Sequence, residues 1–113
     1  MSRDPGLYLD ELIGAAETAL KFASGLSRND FQPGSMAFEA IVRQIEIIGE
    51  AAAHLPDDIR NLAPTIPWAN LIGMRNRLIH GYFAIDPDVV HSVVRDKLPA
   101  MLPTLRTLPE RLP

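Results

Sequence analysis

The stretch IVRQIEIIGEAAAHL, residues 41–55, carries apolar side chains at Ile41, Ile45, Ile48, Ala52 and Leu55, spaced 4, 3, 4 and 3. This is the period of a helix that buries one side, and a strand would need alternation instead. Val42 and Ile47 widen the stripe. Between the apolar positions stand Arg43, Glu46 and Glu50. Arg43 is spaced for an i,i+4 pair with Glu39, worth a few tenths of a kcal/mol, roughly, if exposed. All three charges are equally placed to face a partner or a cationic segment further along the chain.

Working outward, the same punctuation recurs. Pro33-Gly34-Ser35 breaks the chain, and Ser35 is the expected cap of a helix from Met36 to His54. Upstream, Asp4-Pro5 reads as a cap followed by proline at the first helical position. Leu9, Leu12, Ile13, Ala16, Ala19, Leu20 and Ala23 then keep helical spacing until Ser24-Gly25. Downstream, Pro56-Asp57-Asp58 predicts a short helical turn ending near Pro64. Pro67 opens a further helix with Trp68, Leu71, Ile72, Met74, Leu78 and Ile79, expected to end near Tyr82 or Phe83 because Gly81 weakens it. Asp86-Pro87-Asp88 starts the last helix, where Pro99 and Pro103 predict a kink or a break. No segment shows the alternation of a strand or the dipeptides of a hairpin turn. The expectation is an all-α fold, an antiparallel bundle of four to five helices forming a single domain over residues 1–113. The breadth of its apolar sides predicts a second buried face and hence a homodimer, the alternative being a well-filled monomer core.

Composition narrows the function classes. Of the 113 residues 47% are hydrophobic, too many for a disordered chain. No run approaches the roughly 20 apolar residues of a membrane helix. The start, MSRDPGLYLDE, lacks the apolar core of a signal peptide. There is no cysteine, which removes disulfides and thiolate metal sites and fits a cytoplasmic location. His54, His80 and His91 are too scattered for a histidine metal site, so neither metal nor cofactor is expected.

The formal charge of −3 argues against indiscriminate nucleic-acid binding. Its distribution is uneven, because no acidic residue lies between Asp58 and Asp86 while Arg60, Arg75, Arg77 and His80 do. Such an island can hold a phosphate locally. The plainer alternative is that Arg75 and Arg77 pair with carboxylates from elsewhere in the fold. Within MRNRLIHGY (74–82), Asn76 and His80 share a helix face, whereas Arg75 and His80 stand about 140° apart on an ideal helix. They meet only if the long arginine curls round, or if two motif helices face each other in a dimer. Arginine clamps phosphate oxygens at any relevant pH, histidine moves protons near neutrality, and asparagine can orient either. Together these groups suit metal-free RNA cleavage, in which a ribose 2′-hydroxyl attacks the adjacent phosphate and arginine stabilises the phosphorane charge.

The chain resembles the HepT-like toxins of the HEPN superfamily. The likeness rests on R-x4-H-x-Y, matched by Arg75, His80 and Tyr82, together with RQIEIIGEAA (43–52), PTIPWANLIGMRN (64–76), YLDELI (8–13) and VVRDKLP (93–99). It spans nearly the whole chain. The resemblance implies a HEPN-like helical bundle and an endoribonuclease toxin of a type II/VII-like toxin–antitoxin pair. Arg75 and His80 would be catalytic in a cleft formed across a homodimer, with Asn76 in support and Arg77 on the RNA backbone. It further implies neutralisation by an MNT-type nucleotidyltransferase antitoxin that adenylylates Tyr82. One segment departs from the pattern. Many relatives carry an acidic and polar D-x-x-T-Q-D type sequence before the second helix, where this chain has FQPGSMAFEA (31–40). That departure admits a second reading, a catalytically inactive helical binding partner and modification substrate of the nucleotidyltransferase.

Overall fold

The computed structural model describes residues 4–80 and 85–113. Among these, all regular structure is helical. α1 (Pro5–Ala23) starts where Asp4 accepts the Gly6 amide at 2.9 Å, and Pro5 sits at the first position, where no amide hydrogen is needed. α2 (Met36–His54) is capped by Ser35, whose hydroxyl accepts the Phe38 amide at 3.2 Å. A single turn, α3 (Asp57–Arg60), leads to α4 (Trp68–His80). α5 (Pro87–Ser92) begins at Asp86, which accepts the Asp88 amide at 2.9 Å. It runs through a π-helical segment, Val93–Lys97, into α6 (Leu98–Thr107).

The long helices pack antiparallel. The start of α1 meets the end of α2, where the Tyr8 and His54 rings stack with centroids 5.0 Å apart. Arg106 near the end of the chain pairs with Glu17 at 3.0 Å, while Arg95, earlier in the chain, reaches the Ala23 carbonyl at 3.1 Å. The last helix therefore runs back along α1. Leu9, Leu12, Ala16 and Ala19 of α1, Ile41, Ile45 and Ile48 of α2, and Leu98, Leu102 and Leu105 of α6 form one buried core. Among the described residues no polar or charged residue is buried. The four to five helices expected correspond to α1, α2, α4 and the continuous α5–α6 run, with α3 as the short fifth.

Two local expectations are corrected, and one departure from the family pattern is explained. The prolines do not break the last helix. Proline lacks the amide that would bond the carbonyl four residues back, and the π-helical segment absorbs this defect at Pro99, with the Leu98 amide bonding the Val93 carbonyl five residues back. Pro99 and Pro103 both lie on the exposed side, where water can serve the freed carbonyls. Glu39 does not pair with Arg43. Its carboxylate accepts the Gly34 amide at 3.2 Å, and Arg43 pairs with Glu46 at 3.3 Å. The 31–40 segment is a core anchor, because Phe31 and Phe38 are fully buried. Gly34 turns the chain between them at φ +90°, a conformation that favours glycine.

α2 and α4 cross at Gly49. A Cβ there would lie 2.8 Å from the Leu71 carbonyl oxygen and 2.2 Å from the Arg75 Cβ, so only glycine permits this approach. Gly49→Ala is expected to destabilise the fold by about 2 kcal/mol or more, lowering the melting temperature by roughly 10 °C. Gly14 has nothing within 4 Å of the equivalent position. Gly14→Ala should therefore stabilise by about 0.5–1 kcal/mol through helix propensity. Thermal melts of the two variants beside the parent check both expectations, and equal melting of Gly49→Ala and parent would remove the crossing argument.

Candidate functional site

The acid-free interval folds mainly as α4, a helix of uneven cover. Trp68 and Leu71 in its first half are buried, and the Trp68 indole donates to the Arg60 and Ala63 carbonyls at 3.0 Å each. These bonds pin the start of α4 to the turn before it. Beyond Leu71 the helix is partly or fully exposed, Ile79 included at 39%.

Arg75 is the organised member of the motif. Gly49 lets its stem lie against α2, and its side chain is only 25% exposed. One guanidinium nitrogen donates to Asn76 Oδ1 at 2.7 Å and another to the Glu50 carboxylate. The Nε–H is buried and has no partner. The same Glu50 stands 3.6 Å from His54 Nδ1. That nitrogen lies 2.8 Å from the Glu50 carbonyl, which can only accept, so Nδ1 carries the hydrogen. A chain of side chains, Tyr8, His54, Glu50, Arg75 and Asn76, thus crosses from α1 over α2 to α4.

Of the residues singled out in the sequence, the structure brings together Arg75 and Asn76. His80 is exposed at the end of α4 and forms no hydrogen bond or ion pair with any described residue. Arg77 is exposed and likewise unpaired among the described residues, on the side of α4 away from Arg75. Tyr82 lies outside the described residues, as does the expected helix end there. Of the two readings of the cationic island, pairing elsewhere holds for Arg75, through Glu50; Arg60 pairs locally with Asp57, three residues before it, at 2.5 Å. It does not hold for Arg77.

Sequence reasoning missed Gly49 and left Glu50 undecided between a partner and the cationic segment. A glycine in the middle of an otherwise apolar helix is the signal that could have marked a close crossing. Among the described residues no three His, Asp or Glu side chains gather as a metal site requires.

Residues 12–108 match the family model described as Ribonuclease HepT-like. A Methanocaldococcus jannaschii protein named "Putative RNase MJ1380" is 34% identical over 97 residues, covering 86% of this chain and 89% of that protein. A Thermococcus cleftensis protein named "Probable ribonuclease HepT" is 35% identical over 101 residues, covering 89% of this chain and 92% of its own length. No solved structure gives a significant match. The matched region runs from α1 into the turn after α6 and includes Gly49, Glu50 and the whole of α4. On this evidence the chain belongs to the Ribonuclease HepT-like family.

Proposed function

We propose that the chain is a metal-independent endoribonuclease, the toxin of a toxin–antitoxin pair, with Arg75 and His80 as its catalytic residues. The observation that carries this reading is the arrangement on α4. A guanidinium is fixed by Glu50 and Asn76, and an exposed, uncommitted histidine stands five residues further on. Family membership and the names of the relatives support ribonuclease chemistry of the HEPN type.

The reaction needs no water. His80 takes the proton as the ribose 2′-oxygen bonds to phosphorus. Arg75 donates hydrogen bonds to the phosphoryl oxygens as their charge grows. The bond to the 5′-oxygen then breaks, and that oxygen leaves with the proton that His80 took up. The products are a 2′,3′-cyclic phosphate and a 5′-hydroxyl. Arg75 and His80 diverge by about 140° around α4, so a homodimer in which the α4 helix of each copy supplies one of the two groups assembles the pair. The thin cover of α4 beyond Leu71 leaves surface for such contact. In the same reading Arg77 holds the RNA backbone, and a nucleotidyltransferase antitoxin adenylylates Tyr82. The added adenylate places bulk and negative charge beside the cationic groups and so repels RNA.

The second reading, an inactive binding partner of the nucleotidyltransferase, draws on the engagement of Arg75 by Glu50. Growth arrest in cells lacking the partner separates the two, because only the toxin reading makes it depend on His80.

Purified protein should cleave end-labelled RNA in EDTA and leave cyclic-phosphate ends. His80→Ala should lower the rate by about 10²–10⁴-fold, and Arg75→Lys should not restore what Arg75→Ala loses, because an ammonium cannot clamp two oxygens at once. Cleavage by His80→Ala at the parent rate would sink the assignment. Glu50→Ala frees Arg75 to swing and should slow cleavage roughly tenfold through lost orientation. Its stability should change by less than about 1 kcal/mol, because the pair is partly exposed.

A further inference from the structure

On the side of α4 away from Arg75, an open groove separates α4 from the α5–α6 run. Its volume is about 790 Å³, in the range of small-molecule sites. Leu71, Val93 and Met101 line it from opposite sides, and Met74 adds a second thioether. Asn70 and Thr104 supply groups that can donate and accept hydrogen bonds. Its two charged lining residues are both cations, Arg77 from α4 and Lys97 from the π-helical segment. A surface of this sign is unusual in a chain of net charge −3. Asp86 lines only a smaller hollow that shares Met74, Arg77 and Val89 with the groove.

We infer that this groove is a nucleotide subsite. It takes one unpaired base of single-stranded RNA between its apolar walls, with the flanking phosphates on Arg77 and Lys97. The inference rests on the ribonuclease reading for its link to catalysis and extends it to substrate form. A base has two apolar faces and a polar edge, matching apolar walls that carry a few hydrogen-bonding groups. Thioethers make favourable contacts with aromatic rings, which suits Met74 and Met101 to a base rather than to an aliphatic ligand. Two cations with no carboxylate between them suit the closely spaced charges of a phosphodiester chain. Position supports the same occupant. Arg77 and His80 are i,i+3 neighbours, about 4.5 Å apart along the helix axis. A nucleotide in the groove therefore lies next to whatever His80 acts on. A base inside a duplex cannot enter such a groove, so the groove selects unpaired segments.

The test measures binding apart from cleavage, with a fluorescein-labelled 2′-O-methyl hexanucleotide, which lacks the attacking hydroxyl. Fluorescence anisotropy over a salt series is expected to show binding by the parent and weaker binding of the same sequence as a duplex. Lys97→Ala, at an exposed position, should lower the slope of log K against log salt by about one. Met74→Glu should weaken binding at least roughly tenfold, with circular dichroism confirming its fold. Lys21→Ala, on α1 and away from the groove, should match the parent. Absence of binding by the parent at low salt would overturn the subsite, as would parent-like binding by both groove variants. A dimeric parent whose Met74→Glu variant sediments as a monomer would also overturn it, assigning the groove to contact between copies. The catalytic reading is judged separately, by whether parent and His80→Ala differ in cleaving the unmodified hexanucleotide.

Discussion

The contact between α2 and α4 at Gly49 governs the geometry of everything proposed for this chain. Because residue 49 has no Cβ, the Leu71 carbonyl and the Arg75 stem lie directly on the α2 backbone. The next residue, Glu50, is thereby at the right height to meet the Arg75 guanidinium. Closeness of backbones and placement of charge are thus one event. A larger residue would push α4 outward and break the ion pair in the same movement. This gives a physical reason for the glycine and glutamate of IEIIGEA to stand side by side, beyond the apolar stripe they interrupt.

Much of the fold was legible in the sequence, because helix starts carry their own chemistry. Asp4-Pro5, Ser35 and Asp86-Pro87 announce caps that form as read, and the stripe from Ile41 to Leu55 is the buried side of α2. Local rules failed where a longer-range solution was available. Pro99 and Pro103 predict a kink or a break, and of the two the break does not form, because a wider helical turn ahead of Pro99 carries the helix through. Phe31 sits in a stretch that looks like loop, just ahead of the Pro-Gly-Ser break. Its burial draws on His91, whose ring meets Phe31 edge-on at 5.0 Å, and on Arg95, whose guanidinium lies 5.6 Å from the centre of the Phe31 ring. No reading of residues 31–40 alone contains those partners.

The candidate site was legible in a different way. Residue types and spacing singled out Arg75, Asn76 and His80 only as candidates, the resemblance supplied their roles, and helical geometry set Arg75 and His80 apart in angle. What sequence order concealed was the source of the counter-charge. The interval from 59 to 85 is free of acid along the chain, yet Glu50 from α2 meets Arg75, and Asp57 just before the interval meets Arg60. Arg77 and His80 are left uncommitted among the described residues, so the island in space is smaller than the island in sequence, and it is displaced toward the far end of α4.

Arg95 connects parts of the chain made at very different times. Its guanidinium donates to the Ala23 and Leu26 carbonyls, closing the open end of α1 from some seventy residues away. Leu98, Leu102, Leu105 and Leu108 belong to the same core as Leu9 and Leu12. Without the segment from Arg95 to Leu108, α1 keeps its packing on α2 but loses the cover of its other side and the guanidinium at its end. Removing the segment from Arg95 to Leu108 would take away core and strut together, even with every residue of the α4 motif in place.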